Sequence, residues 1–291
     1  MDFLKLLESI RCPAGNLFFQ FVTYFGEEIP VLLVICFLFW CLNKRLAYQS
    51  GLGFFLSGLL LQNMKITFRI ERPWVLDPSF RPVASALEAA TGYSFPSGHT
   101  QSATLLYSTL ALNSNRKRNR LLFVILFLLV GFSRMYLGVH TPKDVITAII
   151  LAGVISFAVH KWTDRFSDSS ISLFLAAASL ATIVYAGVLM NSGTLLAIQA
   201  EDCCKSAAAG FGFAIGWYIE RTFIRFAETS SLKTRILRFL FGVAGTLVLK
   251  VFLKAVLGSS IPGEMLQYFV LILFITCLYP YLFLKVKCLK E

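Results

Sequence analysis

The chain has 291 residues, of which 57% are hydrophobic, 28 are phenylalanine and only 15% are charged, and its mean hydropathy is +0.71. That composition excludes an ordinary soluble domain. Long apolar stretches broken by polar turns, without the alternation of a lipid-facing barrel strand, predict an all-α, polytopic membrane bundle whose helices satisfy their own backbone groups.

In chain order, the amphipathic FLKLLESI segment lacks the basic start, long apolar core and small-residue site of a cleavable signal peptide, so the first span is expected to direct insertion itself. Leu17 to Phe25 is placed in the interface, because Glu27 and Glu28 split the apolar stretch there. Nine crossings are predicted: Glu28–Leu42, Leu46–Met64, Gly98–Leu112, Leu121–Leu137, Asp144–Val159, Ile171–Met190, Ser206–Phe223, Ile236–Leu257 and Met265–Leu284. Residues 1–27 then form an extracytoplasmic or interfacial segment, 28–190 a six-helix core, and 191–291 an extension of three further helices. The longest polar segment is the loop from about Thr67 to Pro96.

Most of the 27 basic residues, among them Lys44, Arg45, Arg116 to Arg120, Arg221, Arg225 and Lys285 to Lys290, fall in one set of loops, and these are assigned to the cytoplasm. The net charge of +11 is thereby concentrated on one face, which reads as membrane orientation and contact with anionic lipid rather than nucleic-acid binding. The N-terminus is then outside and the C-terminus cytoplasmic.

Three polar clusters fall on the extracytoplasmic face of this layout: Lys65 with Arg72-Pro73, Pro96-Ser97-Gly98-His99, and Ser133-Arg134 with His140 and Asp144. Ionisable groups at membrane depth or its edge signal function. Lys65, Arg72 and Arg134 supply three positive charges, two of them planar forks that grip oxyanions. Ser97 and the N–H groups near Gly98 and His99 open a span and offer a helix N-terminal anion site, with Gly98 allowing close backbone approach. Pro73 biases Arg72 away from helix. Thr141-Pro142-Lys143-Asp144 reads as a helix start, with Thr141 as N-cap and the Asp144 carboxylate folded back toward His140. A carboxylate on one ring nitrogen fixes the tautomer and leaves the other free to attack, while His99 can protonate a leaving oxygen.

The patterns K-x6-RP, PSGH and SR-x5-H-x3-D resemble the three signature motifs of the type 2 phosphatidic acid phosphatase superfamily, without substitution at any of their eleven positions and in the same order. The resemblance covers about Glu28 to Met190. It implies a membrane hydrolase that needs neither metal nor other cofactor and acts on a lipid phosphate: phosphatidate-like, phosphatidylglycerophosphate, or polyprenyl phosphate or diphosphate. It also implies a phosphohistidine on His140, with Asp144 orienting it, His99 as acid, and Lys65, Arg72, Ser97, Gly98 and Arg134 holding the phosphate. The nine-span layout is similar to that of glucose-6-phosphatase, whereas GYSFPSGHTQSA and Asp144 look more like bacterial lipid phosphatases. A phosphotransferase passing the group to another lipid, a sugar-phosphate phosphatase and a non-catalytic binder or transporter of anionic lipid stand as alternatives.

Other polar residues have plainer readings. Lys250 and Lys254 are expected to snorkel, His160 to be interfacial, Glu220-Arg221 to end the seventh span, and Gly212 with Gly216 to pack helices. Trp74, Tyr93 and Phe95 either line the pocket mouth or belong to the interfacial aromatic belt. Cys36, Cys41 and Cys277 are read as packing residues, and Cys12 and Cys203-Cys204 lie on the outer side, where a disulfide is permitted.

Overall fold

The structure is a computed structural model describing residues 1–228 and 231–286. It is all-helical, with no strand among the described residues. The helices are α1 (Asp2–Ser9), α2 (Pro13–Tyr24), α3 (Glu28–Phe37), α4 (Lys44–Phe68), the short α5 (Pro73–Leu76), α6 (Gly98–Leu112), α7 (Lys117–Tyr136), α8 (Pro142–Trp162), α9 (Asp168–Asn191), α10 (Ala197–Ile219), α11 (Leu232–Leu257), α12 (Ile261–Leu273) and α13 (Tyr279–Lys285). Single π-helical turns continue α3, α10 and α12, at Leu38–Leu42, Glu220–Ile224 and Phe274–Leu278.

All nine apolar stretches are helical, but the nine-crossing layout is not supported. Among the described residues, five helical stretches are long and apolar enough to cross a membrane: α7, α8, α9, α11 and Ile261–Lys285. A sixth arises if Pro13–Tyr24 and Glu28–Leu42, bent by 42°, count as one broken span. The reasons lie in the sequence. α6 has only 15 residues, α4 is diluted by Gln49, Gln62, Asn63 and three glycines, and α10 opens with Glu201, Asp202 and Lys205. With five to six such spans the chain is an integral membrane protein.

The chain divides into two compact units: Met1–Val31 with Leu60–Ala158, and Leu32–Leu59 with Val159–Glu291. In the first, α7 is the hub, packing against α1, α2 and α6. Tyr136, Leu137 and Val139, at its end, are buried with Ala86 under Phe19, Trp74 and Phe132, and Leu4, Leu7 and Phe80 bury the amphipathic face of α1. Burying such side chains stabilises by about 1.5–3 kcal/mol each. This fixes the α7–α8 turn, where the third motif lies.

In the second unit α10 packs against α9 and α12, and α11 against α12. Gly212 and Gly216 do pack helices: a Cβ at Gly212 would meet the Phe269 carbonyl at 2.8 Å, and Gly216 faces the Thr276 side chain. The six described cysteines are free. Cys12 caps α2, its Sγ accepting from Gly15 N–H at 3.4 Å, and Cys203 and Cys204 are buried within α10.

Candidate active site

The site lies entirely within the first unit. α4 ends at Phe68, where Arg69 turns the chain with a left-handed backbone (φ 48°) and donates its N–H to the Lys65 carbonyl at 3.0 Å. Lys65 is thus held in the last helical turn. Arg72 is extended (φ −70°, ψ 153°), as expected of a residue before proline. Its side chain folds into the loop: Nε donates to Gly92 O (3.0 Å), Nη1 to Val139 O (3.1 Å) and Nη2 to Thr91 O. These bonds hold Arg72 to its own loop, at Thr91 and Gly92, and to the α7–α8 turn, at Val139. Burial pulls its proton affinity down to about 10, so it remains charged at neutral pH.

Ser97 is the N-cap of α6 but makes no side-chain bond to the helix backbone; its Oγ accepts from Thr100 Oγ1 at 2.9 Å. The first N–H groups of α6 consequently keep the donors that a helix N-terminus offers to an anion. The Ser97 N–H itself donates to the Asp144 carbonyl at 3.2 Å, joining the second motif to the third.

Between α7 and α8 the chain turns at Gly138, whose φ of +80° favours glycine and where a Cβ would meet Arg11 Nη2 at 2.6 Å and the Phe80 ring at 2.8 Å. Arg11 pins this turn, donating through Nε to the Tyr136 carbonyl at 2.8 Å. Thr141 N–H donates to Asp144 Oδ2 (2.8 Å) and Asp144 N–H to Thr141 Oγ1 (3.4 Å), the reciprocal cap expected from the sequence. The same Oδ2 stands 3.4 Å from His140 Nδ1 and accepts from Ser94 Oγ at 2.6 Å.

On its other side, His140 Nε2 is 3.0 Å from Arg72 Nη1. A guanidinium can only donate, so Nε2 accepts and the ring proton sits on Nδ1, facing Asp144. His140 is 2% exposed, and burial first, then the charges of Arg72, Arg134 and Lys65, push its proton affinity well below the ordinary histidine range. The ring is held neutral with its lone pair on Nε2. The Arg72 Nη1–His140 Nε2 contact and the bond from Ser97 N–H to the Asp144 carbonyl bring residues of the three motifs together.

Arg134 is 0% exposed. Its Nη1 donates to Thr23 Oγ1 at 2.8 Å, whereas Nε and Nη2 have no hydrogen-bond partner. Unsatisfied buried donors cost about 1–3 kcal/mol each, more when charged, and such groups call for a functional explanation. His99 Nε2 is also buried without a hydrogen-bond partner, with Glu27 Oε1 4.0 Å away.

Sequence reasoning missed Thr23, Glu27 and Ser94. Glu27 carried a signal, an acidic pair interrupting an apolar run. Thr23 and Ser94 carried none, since hydroxyls in such segments are ordinary. Gly26 explains the approach of α2: a Cβ there would lie 2.5 Å from the His99 carbonyl. Of the aromatics, Phe95 is buried under Lys143 (5.1 Å to the ring) and edge-on to Phe68, and Trp74 packs beneath Arg72.

Comparison with known proteins places the chain in a family. The PAP2 superfamily profile matches residues 46–168, and the profile of the PAP2 superfamily phosphatase transmembrane extension matches 204–291. An undecaprenyl-diphosphatase of Sulfolobus acidocaldarius is 30% identical over 54% of this chain and 75% of its own length. Phosphatidylglycerophosphatase B of Bacillus subtilis is 28% identical over 55% of this chain and 81% of its own. A probable sphingosine-1-phosphate phosphatase of Dictyostelium discoideum is 29% identical over 50% of this chain, which spans only 38% of that relative. On these matches the chain belongs to the PAP2 superfamily, a family of membrane phosphatases.

Proposed function

We propose that the chain hydrolyses a lipid phosphate at the membrane surface through a phosphohistidine on His140. The observation that carries this reading is the pair of contacts on the His140 ring, Arg72 Nη1 at Nε2 and Asp144 Oδ2 at Nδ1, which leave a neutral nucleophile beside three cations. When a phosphomonoester enters, its oxygens take over the Arg72 donor, and Nε2 attacks phosphorus as the ester P–O bond breaks. His99 gives a proton to the leaving alkoxide. Asp144 and Ser94 hold the Nδ1 proton and stabilise the cationic ring that forms. Arg134, Lys65 and the start of α6 stabilise the equatorial oxygens, the main task in phosphoryl transfer. Water, deprotonated by His99, then attacks phosphorus, the P–N bond breaks and inorganic phosphate leaves with His140 restored.

The relatives' substrates support a lipid: a phosphatidylglycerophosphate, an undecaprenyl diphosphate and a sphingosine 1-phosphate. In this reading residues 28–190 form the phosphatase core and 191–291 a transmembrane extension. The basic loops face the cytoplasm and the site the outside. The test is phosphate release from a panel of phosphatidate, phosphatidylglycerophosphate, undecaprenyl diphosphate and glucose 6-phosphate without divalent metal. Preference for glucose 6-phosphate overturns the lipid assignment; release dependent on added metal overturns the mechanism; label appearing on an acceptor lipid converts hydrolase to transferase.

A further inference from the structure

The second unit contains a polar cavity that the phosphatase site does not use. It has a volume of about 370 Å³ and is lined by Lys44, Asp168, Glu220, Arg221 and Arg225. That size is within the roughly 300–1,000 Å³ of small-ligand pockets. Its carboxylates are already engaged. Glu220, 0% exposed, accepts from Lys44 Nζ and from Tyr48 Oη, and Asp168 accepts from Trp217 Nε1 and Arg221 Nε at 2.9 Å each. Lys44 is further held by the Phe226 carbonyl at 2.9 Å, and Tyr48 stacks on Trp217 with ring centroids 4.5 Å apart.

The arginines are different. Arg221 lies within the π-helical turn and Arg225 caps it, adopting a left-handed backbone (φ 48°, ψ 41°) that costs a non-glycine residue about 1–2 kcal/mol. Through that turn its Nε donates to the Arg221 carbonyl at 3.0 Å, keeping two like charges on one cavity wall. Among the described residues, the hydrogen bonds of both guanidinium groups run only through Nε. Their Nη nitrogens are left as paired donors of the geometry that grips a phosphate. Tyr218 and Phe223, 41% and 71% exposed and edge-on to one another, flank Arg221 as an apolar shelf at the end of α10. A soluble anion has no use for such a shelf, whereas acyl chains do.

We infer that this cavity is a binding site for the phosphate of an anionic phospholipid headgroup, held by Arg221 and Arg225 with Lys44 behind them and the acyl chains along Tyr218 and Phe223. Basic pockets between helix ends at a membrane surface bind such headgroups. The site is separate from the catalytic chemistry and stands whether or not His140 is the nucleophile.

The test is native mass spectrometry of the full chain, purified in mild detergent and mixed with phosphatidylglycerol or phosphatidylcholine. The wild type is expected to retain one phosphatidylglycerol in preference to phosphatidylcholine, and Arg225→Gln to reduce that retention about fivefold. Arg134→Ala, altered in the catalytic pocket, is expected to keep the lipid. Equal retention of the two lipids by the wild type, or undiminished retention by Arg225→Gln, overturns the proposal. Loss in Arg134→Ala with retention in Arg225→Gln assigns the lipid to the catalytic pocket and also overturns it. Displacement of the lipid by millimolar inorganic phosphate assigns the cavity to free phosphate instead.

Discussion

The two units treat buried charge in opposite ways. In the second, Glu220 is matched by Lys44 and Tyr48, and Lys205 is surrounded by Glu201, Asp202 and Glu264 at 2.8, 3.0 and 3.6 Å. Arg238 donates to the Ala227 carbonyl at 3.0 Å and lies 4.3 Å over the Phe283 ring. In the first, Arg134 is completely buried with two nitrogens unsatisfied, and His140 is held neutral among cations. Paired buried charge is a structural device whose removal breaks the fold. Mismatched buried charge lowers stability, and its persistence indicates an anion that completes it.

Substitutions in the two units separate these roles. The largest effect is expected from His140→Ala, which should lower kcat/KM by on the order of 10⁴ or more while leaving the thermal unfolding midpoint nearly unchanged; residual activity near wild type excludes His140 as nucleophile. Glu220→Ala, in the matched network, should do the reverse. It leaves Lys44 buried without its carboxylate and destabilises by about 3–5 kcal/mol, read as a fall in unfolding midpoint, with the specific activity of the surviving folded protein preserved.

Arg134→Ala should cost about 10²–10³ in kcat yet destabilise little, because an unsatisfied charge is removed with the side chain. A loss of stability as large as that of Glu220→Ala would erase the contrast between the units. Glu27→Gln should lower kcat/KM about tenfold through His99, a general-acid partner of modest weight.

The smallest effect concerns pH. The proton affinity of His140 is depressed, so its unprotonated ring survives below pH 6.5, and the acid limb of kcat/KM should lie below that value. Lys65→Met removes one of the cations responsible and should move the limb upward; a downward shift contradicts the electrostatics described above.

Much of the site was legible in the sequence because its parts are local. Thr141, Pro142 and Asp144 specify a helix start by spacing alone, and the cap at 2.8 Å follows from it. Pro73 set Arg72 in extended backbone by the same local logic. What Arg72 bonds to was not legible, since Gly92, Thr91 and Val139 reach it only through the folded loop. The count of nine crossings is not confirmed, for a related reason. Hydropathy marks an apolar stretch but not whether protein or lipid surrounds it, and α4, α6 and α10 mix their apolar residues with amides, hydroxyls and charges.

The sequence by itself therefore determined that this is a helical membrane protein of the PAP2 superfamily and that the Asp144 carboxylate turns back on its helix start beside His140, four residues earlier. Those properties depend on composition and on helix periodicity, which act over one or two turns. Only the tertiary structure decided that Ser94, Thr23 and Glu27 stand against Asp144, Arg134 and His99, that Arg134 keeps unsatisfied donors, and that Arg221 and Arg225 share a cavity wall. Each of these joins residues brought together by packing or by a left-handed turn, and neither leaves a period in the sequence to be read.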